Sequence, residues 1–248
     1  MTFLSTHRLR LLALPAALAL VPALGLAQAG KPQYGGTLNI GNVYLTVSPL
    51  SADSADWAWK INQDIGLSQE QLFSGDLTKA KRNGGKYTFS SDAWLPPDAL
   101  RGELAESWKM EQNPLRVTVN LRKGVMFPAK PGVMEAREMT SDDIVFSFDR
   151  INKSAKKIPG YFDHIDKVEA KDKYTVVFHM NKYNAEWDYR FGWGYYSAIV
   201  AKEVVAAGPK DWSKVNGTGP YQVGEYVQGN SLTFTKNPVY WDKEKIGG

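Results

Sequence analysis

The chain has no cysteine in its 248 residues. That excludes a disulfide framework, a thiolate metal site and a cysteine nucleophile. Histidine is nearly absent as well, with only three: His7, His164 and His179. Neither His164 nor His179 stands in a recognisable metal-ligand pattern, and a metal site needs several convergent ligands. There is no Gly-x-Ser-x-Gly turn to raise a serine nucleophile. Gly192-x-Gly194 is embedded in aromatics and lacks the third glycine and the basic residue of a phosphate loop. Internal repeats and low-complexity tracts are missing. Past residue 29 no stretch is apolar enough for a membrane span of about 20 residues. No catalytic residue, metal site or cofactor is therefore expected.

What is present begins with an export signal. His7, Arg8 and Arg10 form a positive region, residues 11–26 an apolar one broken by Pro15, Pro22 and Gly25, and Ala27-Gln28-Ala29 a small-x-small cleavage pattern. Residues 1–29 are read as a cleaved signal, with the mature chain starting at Gly30. With no cysteine behind the apolar run to carry a lipid, the product is expected free in the periplasm. Removing the signal takes away Arg8 and Arg10 and no acid, so the net charge falls from +4 to about +2. The densest basic cluster, Lys79, Lys81 and Arg82, adjoins Asn83-Gly84-Gly85 and reads as a solvated loop; nucleic acid is not an expected partner.

Periodicity gives a mixed chain. Gly35-Gly36 leads a short strand at residues 37–40, and residues 43–47 form a second apolar run ending at Pro49. Residues 56–73 take a helical pattern through Ile61, Ile65 and Leu72, with Gly66 as a break. Residues 76–102 are irregular. Residues 116–122 alternate, with Val117, Val119 and Leu121 on one face. Thr140 and Asp143 form a capping box ahead of a helix carrying Ile144, Val145, Phe148 and Ile151 on one side. Residues 168–170 and 174–180 read as a hairpin about Asp172-Lys173. A helix is expected over 197–207, stopped by Gly208-Pro209, and then two strands, 221–227 and 232–235, joined at Gln228-Gly229-Asn230. Without regular β-α alternation, an α/β (mixed α+β) lobe fits.

The carboxylates Glu135/Glu138 and Asp142/Asp143 are explained by surface charge and helix capping. Aromatics are more informative. Trp187, Tyr189, Phe191, Trp193 and Tyr195 occupy every second position, so an extended chain would present one aromatic face. Such a face serves either core packing or the apolar wall of a ligand cleft. Trp57 and Trp59 are similar candidates with weaker support.

Four blocks in order carry a family resemblance: Leu104-Ala105-Glu106-Ser107-Trp108, Leu121-Arg122-Lys123-Gly124-Val125-Met126-Phe127, Asn216-Gly217-Thr218-Gly219-Pro220-Tyr221 and Asn237-Pro238-Val239-Tyr240-Trp241. Together, behind an export signal, they resemble the peptide/nickel class of bacterial extracellular solute-binding proteins, which feed ABC importers. The resemblance runs from about Gly35 to Trp241. It implies a periplasmic binding protein-like lobe, residues 30–56 and 165–248, with an inserted subdomain at 57–164. It also implies that the run ending at Pro49-Leu50 reaches the interlobe cleft, so Asn42, Val43, Tyr44, Leu45 and Thr46 would line the site and offer main-chain groups to a peptide. Phe191, Trp193 and Tyr195 are the aromatic site candidates. The four blocks themselves are mostly structural in the family.

In that family the chain continues after the last block into a second lobe. This sequence stops at Gly248, so the expectation is a lobe without its partner, with weak or no solute binding, exposed strand edges and marginal stability. The implied partners are a di- or oligopeptide and the permease subunits of an importer, with a monomeric protein. The same resemblance also admits an oligosaccharide, an opine, haem or a nickel complex. Outside transport, the alternatives are an interaction protein or an exported hydrolase; the second lacks any visible nucleophile and base.

Overall fold

The alternation at residues 116–122 becomes an inner strand of a sheet in the computed structural model, which describes residues 35–41, 49–89 and 95–243. The chain divides into two units, Met1–Asn39 and Ile40–Gly248. Of the first, residues 35–39 are described: a bend at Gly35-Gly36, both at positive φ, then chain without regular structure. The strand expected at 37–40 is not formed. A strand needs a ladder partner, and Leu38 is 83% exposed instead. The run at 43–47 and residues 1–29 lie outside the described residues.

In the second unit the elements follow in order: β1 Phe73–Gly75, β2 Leu100–Gly102, β3 Ala105–Gln112, β4 Leu115–Leu121, β5 Met126–Phe127, β6 Arg137–Glu138, α1 Ser141–Asn152, β7 Ile165–Asp172, β8 Thr175–Met180, α2 Lys202–Ala207, β9 Tyr221–Val227 and β10 Ser231–Lys236. The main sheet is antiparallel with order β3-β4-β8-β7. Val117 pairs with Phe178 and Val119 with Val176 across its centre. The faces follow the pleat: Val117, Val119, Leu121, Val176, Phe178 and Met180 are all buried, each contributing roughly 1.5–3 kcal/mol by leaving water. Tyr174 follows the turn, its amide donating to Asp172 Oδ1 at 2.9 Å, which closes the expected hairpin.

Helix α1 lies on the β7–β8 side of this sheet. It starts as its sequence dictates: the Thr140 amide donates to the Asp143 carboxylate at 2.9 Å, closing one half of the capping box. Asp143 is also gripped by Arg137 Nη2 at 2.7 Å, and the same guanidinium reaches Glu203 of α2 at 2.8 Å. Ile144, Phe148 and Ile151 face the core, Phe148 meeting Phe178 edge to face at 5.1 Å.

Two of the expected helices are shorter than their patterns. Over residues 56–73 only Ile61–Ile65 is helical, a single wide turn. Gly66 follows, where a side chain would run into the Ile61 carbonyl. Ile61 and Ile65 pack with Ala52, Ala198, Trp212, Val215 and Val223 in a second, smaller cluster, while Leu72 belongs to the main core. The apolar residues thus serve two clusters and not one helix face. Residues 197–201 are buried, extended chain and not helix. Their backbone is committed elsewhere: the Ile199 amide donates to Glu70 O at 3.0 Å, and the Val200 amide to Ser147 Oγ at 2.9 Å. α2 then ends at Gly208 (φ 115°), the stop expected from Gly208-Pro209. Among the described residues, 76–102 hold three 3-10 turns before β2 pairs with β1. The β9–β10 hairpin stands as its own two-stranded sheet.

Candidate functional site

The aromatic segment is not extended. Tyr189–Trp193 forms a wide helical turn, closed by Arg190 N to Glu186 O at 2.8 Å and Gly194 N to Tyr189 O at 2.8 Å. Gly192 permits it, because a side chain there would strike the Phe73 ring. The turn distributes the aromatics in two directions, where an extended chain would have given one face. Phe191 goes inward: it is 0% exposed and stacks on Phe178, ring centroids 4.1 Å apart and planes 9° from parallel. Core packing is therefore what Phe191 does.

Trp193 and Tyr195 remain half-buried. Both lean on Tyr189, at 4.8 and 5.7 Å between ring centroids. Trp193 Nε1 donates to Asp188 Oδ2 at 3.1 Å, and burial raises the Asp188 carboxyl above its usual range. Trp59, 49% exposed, reaches Tyr195 at 6.1 Å. Trp59, Tyr195, Tyr189 and Trp193 thus form a continuous run of rings from solvent to core. Such a wall can stack on planar or apolar solute groups. Asn42, Val43, Tyr44, Leu45 and Thr46 lie outside the described residues. The end of their run is held: Pro49 O accepts from Trp212 Nε1 at 3.0 Å, and the Ala52 amide donates to Lys210 O at 2.9 Å.

Three of the four sequence blocks meet one segment, residues 67–72, while the second block joins the first and the fourth through Arg122. Gly219 N donates to Ser68 O at 2.9 Å and Tyr221 N to Leu67 O at 3.0 Å. Leu104 N donates to Gln71 O at 3.1 Å and Ala105 N to Leu72 O at 3.0 Å. Backbones approach so closely that a Cβ on Gly219 would sit 2.6 Å from Leu67 O, and one on Gly217 would fall on the Ser68 carbonyl. Asn237 ties the third block to the fourth, its Nδ2 donating to Gly219 O at 2.8 Å. Gln71 Nε2 donates to Gly194 O at 3.0 Å, linking this shelf to the aromatic wall.

At the middle of the shelf is Glu70, 1% exposed, which the sequence analysis did not single out. Trp241 Nε1 donates to its Oε1 at 2.9 Å, and Tyr240 OH lies 3.3 Å from the same oxygen. Burial pushes the Glu70 carboxyl up to about 7, against the lowering pull of its hydrogen bonds and the Arg122 charge. Arg122 stacks on Trp241, 4.6 Å from the ring centroid, and its Nε donates to Glu103 O at 2.6 Å. The Glu103 carboxyl is also raised, by burial and then by the charge of Glu70. A second buried charge was equally missed: Lys60 Nζ meets Asp64 Oδ2 at 2.7 Å, both side chains at 0% exposure, over the face of Trp212 at 4.5 Å. Burial lowers the Lys60 ammonium and Asp64 holds it up. Lys60 and Asp64, one turn apart, are ordinary in sequence; only the fold closes the core around them.

The remaining polar candidates are structural. His164 is buried, and desolvation with the Arg190 and Lys182 charges pushes it down to about 4. His179 pairs with Glu169 at 2.9 Å. Glu138 receives the Gly124 amide at 2.7 Å and Lys173 at 2.8 Å, while Glu135 and Asp142 are exposed. Gly192 and Gly194 pack against the Phe73 and Tyr189 rings. Lys81 and Arg82 rim a surface depression of about 350 Å3 with Tyr87 and Phe89. Among the described residues no group of three or more His, Cys, Asp or Glu side chains could hold a metal ion, and no helix is long and apolar enough to cross a membrane.

The family model for bacterial extracellular solute-binding proteins, family 5 Middle, matches residues 99–246, a span that includes all four blocks. The chain belongs to that family. It is 27% identical over 219 residues to di/tripeptide-binding protein 1 of Pseudomonas aeruginosa (strain UCBPP-PA14), covering 80% of this chain and 37% of the relative. Among solved structures, the ABC transporter-associated periplasmic binding protein DppA from Helicobacter pylori, in complex with peptide STSA, superposes with a TM-score of 0.58 at 25% identity, over 77% of this chain and 38% of that one. MoaA from A. tumefaciens R10, in complex with mannopinic acid, gives 0.62 at 22% identity, over 79% and 36%. The fold is that of the periplasmic binding proteins, and the chain spans well under half the length of each of these three.

Proposed function

We propose that the chain is part of the periplasmic solute-binding component of an ABC importer, taking di- or oligopeptides. The observation that carries this is the family match over residues 99–246, joined to a relative that is named for di- and tripeptides. In this reading residues 1–29 direct export and are cleaved, and the product works as a soluble monomer that delivers solute to permease subunits. It is a carrier and not an enzyme. Residues 30–56 and 165–248 form the first lobe around an inserted subdomain at 57–164.

Peptide main chain would be met by Asn42, Val43, Tyr44, Leu45 and Thr46, and apolar side chains by Trp193 and Tyr195; Phe191, the third aromatic candidate, is packed in the core. Trp59 extends that wall outward. The 248 residues by themselves supply one side of a cleft, so a polypeptide of this length binds peptide weakly or not at all, because affinity in a cleft comes from enclosing the ligand.

Two measurements on the product purified from periplasm test this. Its intact mass states whether the mature protein is near the 27.6 kDa of the full sequence less its signal, or larger. Tryptophan-fluorescence titration of that product with di-, tri- and oligopeptides, against haem, mannopinic acid and cello-oligosaccharides, states the solute. Saturable quenching by peptides supports the proposal. Saturation by one of the other solutes alone would overturn the peptide assignment, and micromolar peptide affinity in the 248-residue polypeptide would overturn the one-sided cleft.

A further inference from the structure

Lys60 and Asp64 pair at 2.7 Å with both side chains out of solvent. Ile61 and Ile65, on the same turn, belong to the smaller apolar cluster, and so does Trp212. Replacing a buried ion pair by apolar side chains of similar volume is often neutral or stabilising, so packing alone does not account for the pair. What the pair does touch is an aromatic ring: Lys60 Nζ lies 4.5 Å from the centre of the Trp212 indole.

That indole is fixed by two contacts. Tyr226 stacks on it at 4.4 Å, with the planes 28° apart, and the Lys60 ammonium is drawn to its face. Its single donor, Nε1, goes to Pro49 O at 3.0 Å. Pro49 and Leu50 are exposed while residues 51–55 are buried, so this carbonyl stands where the chain enters the core. An exposed carbonyl can take its bond from water instead, and the net gain from a protein donor is small. Such a donor holds the carbonyl in place only when it is already aimed, its rotamer freedom spent beforehand. A cation over a ring face supplies direction; an aliphatic contact of the same size does not, because the hydrophobic effect is non-directional.

We infer that Lys60 is a positioning residue: held by Asp64, it fixes the plane of Trp212 and, through Nε1 on Pro49 O, sets where the chain that carries residues 42–46 enters the core. A second bond, from the Ala52 amide to Lys210 O at 2.9 Å, secures the inner end of the same entry. The Lys60–Trp212–Pro49 connection stands on geometry; its consequence for solute rests on the proposed function, in which residues 42–46 meet peptide main chain.

Two variants of the periplasmic product test this. Lys60→Met with Asp64→Leu removes both charges together and leaves no lone charge buried. Trp212→Phe keeps an aromatic ring for Tyr226 and removes the donor. Hydrogen exchange at the Trp212 indole, its resonance assigned by its loss in Trp212→Phe, should be about tenfold faster in the double variant, with the urea midpoint no lower than the parent's. Peptide affinity should fall about fivefold in both variants. Unchanged indole exchange in the double variant would overturn the positioning role, and so would a double variant that fails to fold, since the pair would then serve stability. Faster exchange with unaltered affinity in both variants would overturn the reach to solute. A parent that binds no peptide would sink the proposed function instead, while the exchange comparison would still decide whether Lys60 holds Trp212.

Discussion

Trp241 and Glu70, 171 residues apart, are bound side chain to side chain, indole Nε1 to carboxylate Oε1 at 2.9 Å. The bond fastens the last of the four sequence blocks to the middle of the segment on which the first and third also rest. It also buries a carboxyl group that holds its proton near neutrality.

That burial sets a pH dependence of stability. Glu70 titrates near 4.5 when unfolded and at about 7 when folded. Between those values the folded state holds a proton that the unfolded state has released, so this contribution is greatest below pH 4.5 and declines as pH rises through 7. Glu70→Gln should remove that decline. Urea midpoints of both proteins from acid to mild alkali would test it; an unchanged difference across the window would contradict the assignment.

His164 acts with the opposite sign. Its folded value of about 4 lies below the ordinary 6.5, so the folded state is the one that lacks the proton between them. The stabilisation is complete above 6.5 and is lost as pH falls toward 4. A His164→Gln variant should lose less stability than the parent on acidification over this range, readable by thermal melts at fixed ionic strength. Because the Glu70 and His164 windows overlap, the parent alone should show a shallower profile than either variant.

Gly217→Ala and Gly219→Ala should each destabilise by about 2 kcal/mol or more, as overpacking against backbone cannot relax by a rotamer change. A Cβ at Gly219 would stand 2.6 Å from the Leu67 carbonyl oxygen. Gly229→Ala is the control: its φ is +73° but the space is open, so the cost should be about 1 kcal/mol. Equal losses in chemical denaturation for all three would remove close approach as the reason for the first two glycines.

Phe191 and Trp59 should separate by function. Phe191→Ala removes a fully buried ring stacked on Phe178 and should cost about 3–5 kcal/mol. Trp59→Ala, half in solvent, should change stability by less than about 1 kcal/mol while weakening peptide binding by the periplasmic product. A large stability loss for Trp59→Ala with unaltered binding would place Trp59 in the core's support instead.

The parts of the fold that the sequence made legible are those decided locally. Residues 116–122 alternate because one face of β4 is buried. Asp172-Lys173 turns a hairpin, and Thr140 with Asp143 starts α1. In the third block Gly217 and Gly219 are required by a close backbone approach to residues 67–69. Less legible were the segments whose form is decided at a distance. Residues 56–73 look helical because Ile61, Ile65 and Leu72 are apolar at suitable spacing, yet they serve two different clusters. Residues 197–201 spend their amides on Glu70 and Ser147. The alternation from Trp187 to Tyr195 suggested an extended chain, whereas a wide turn sends Phe191 and Trp193 to different surroundings. Glu70 and Lys60 gave no signal at all, since what distinguishes them is an apolar shell assembled from remote parts of the chain.

The shelf at residues 67–72 has a consequence for how cargo preference can change. The blocks that make the chain recognisable are spent largely on holding backbone to backbone. Substitutions that retune the rings at Trp59, Trp193 and Tyr195 leave that fastening untouched, while substitutions in the blocks threaten the fastening without touching the rings. On the proposed function, recognition of the lineage and choice of passenger are written in separate alphabets, and one scaffold could be handed from solute to solute with its seams intact.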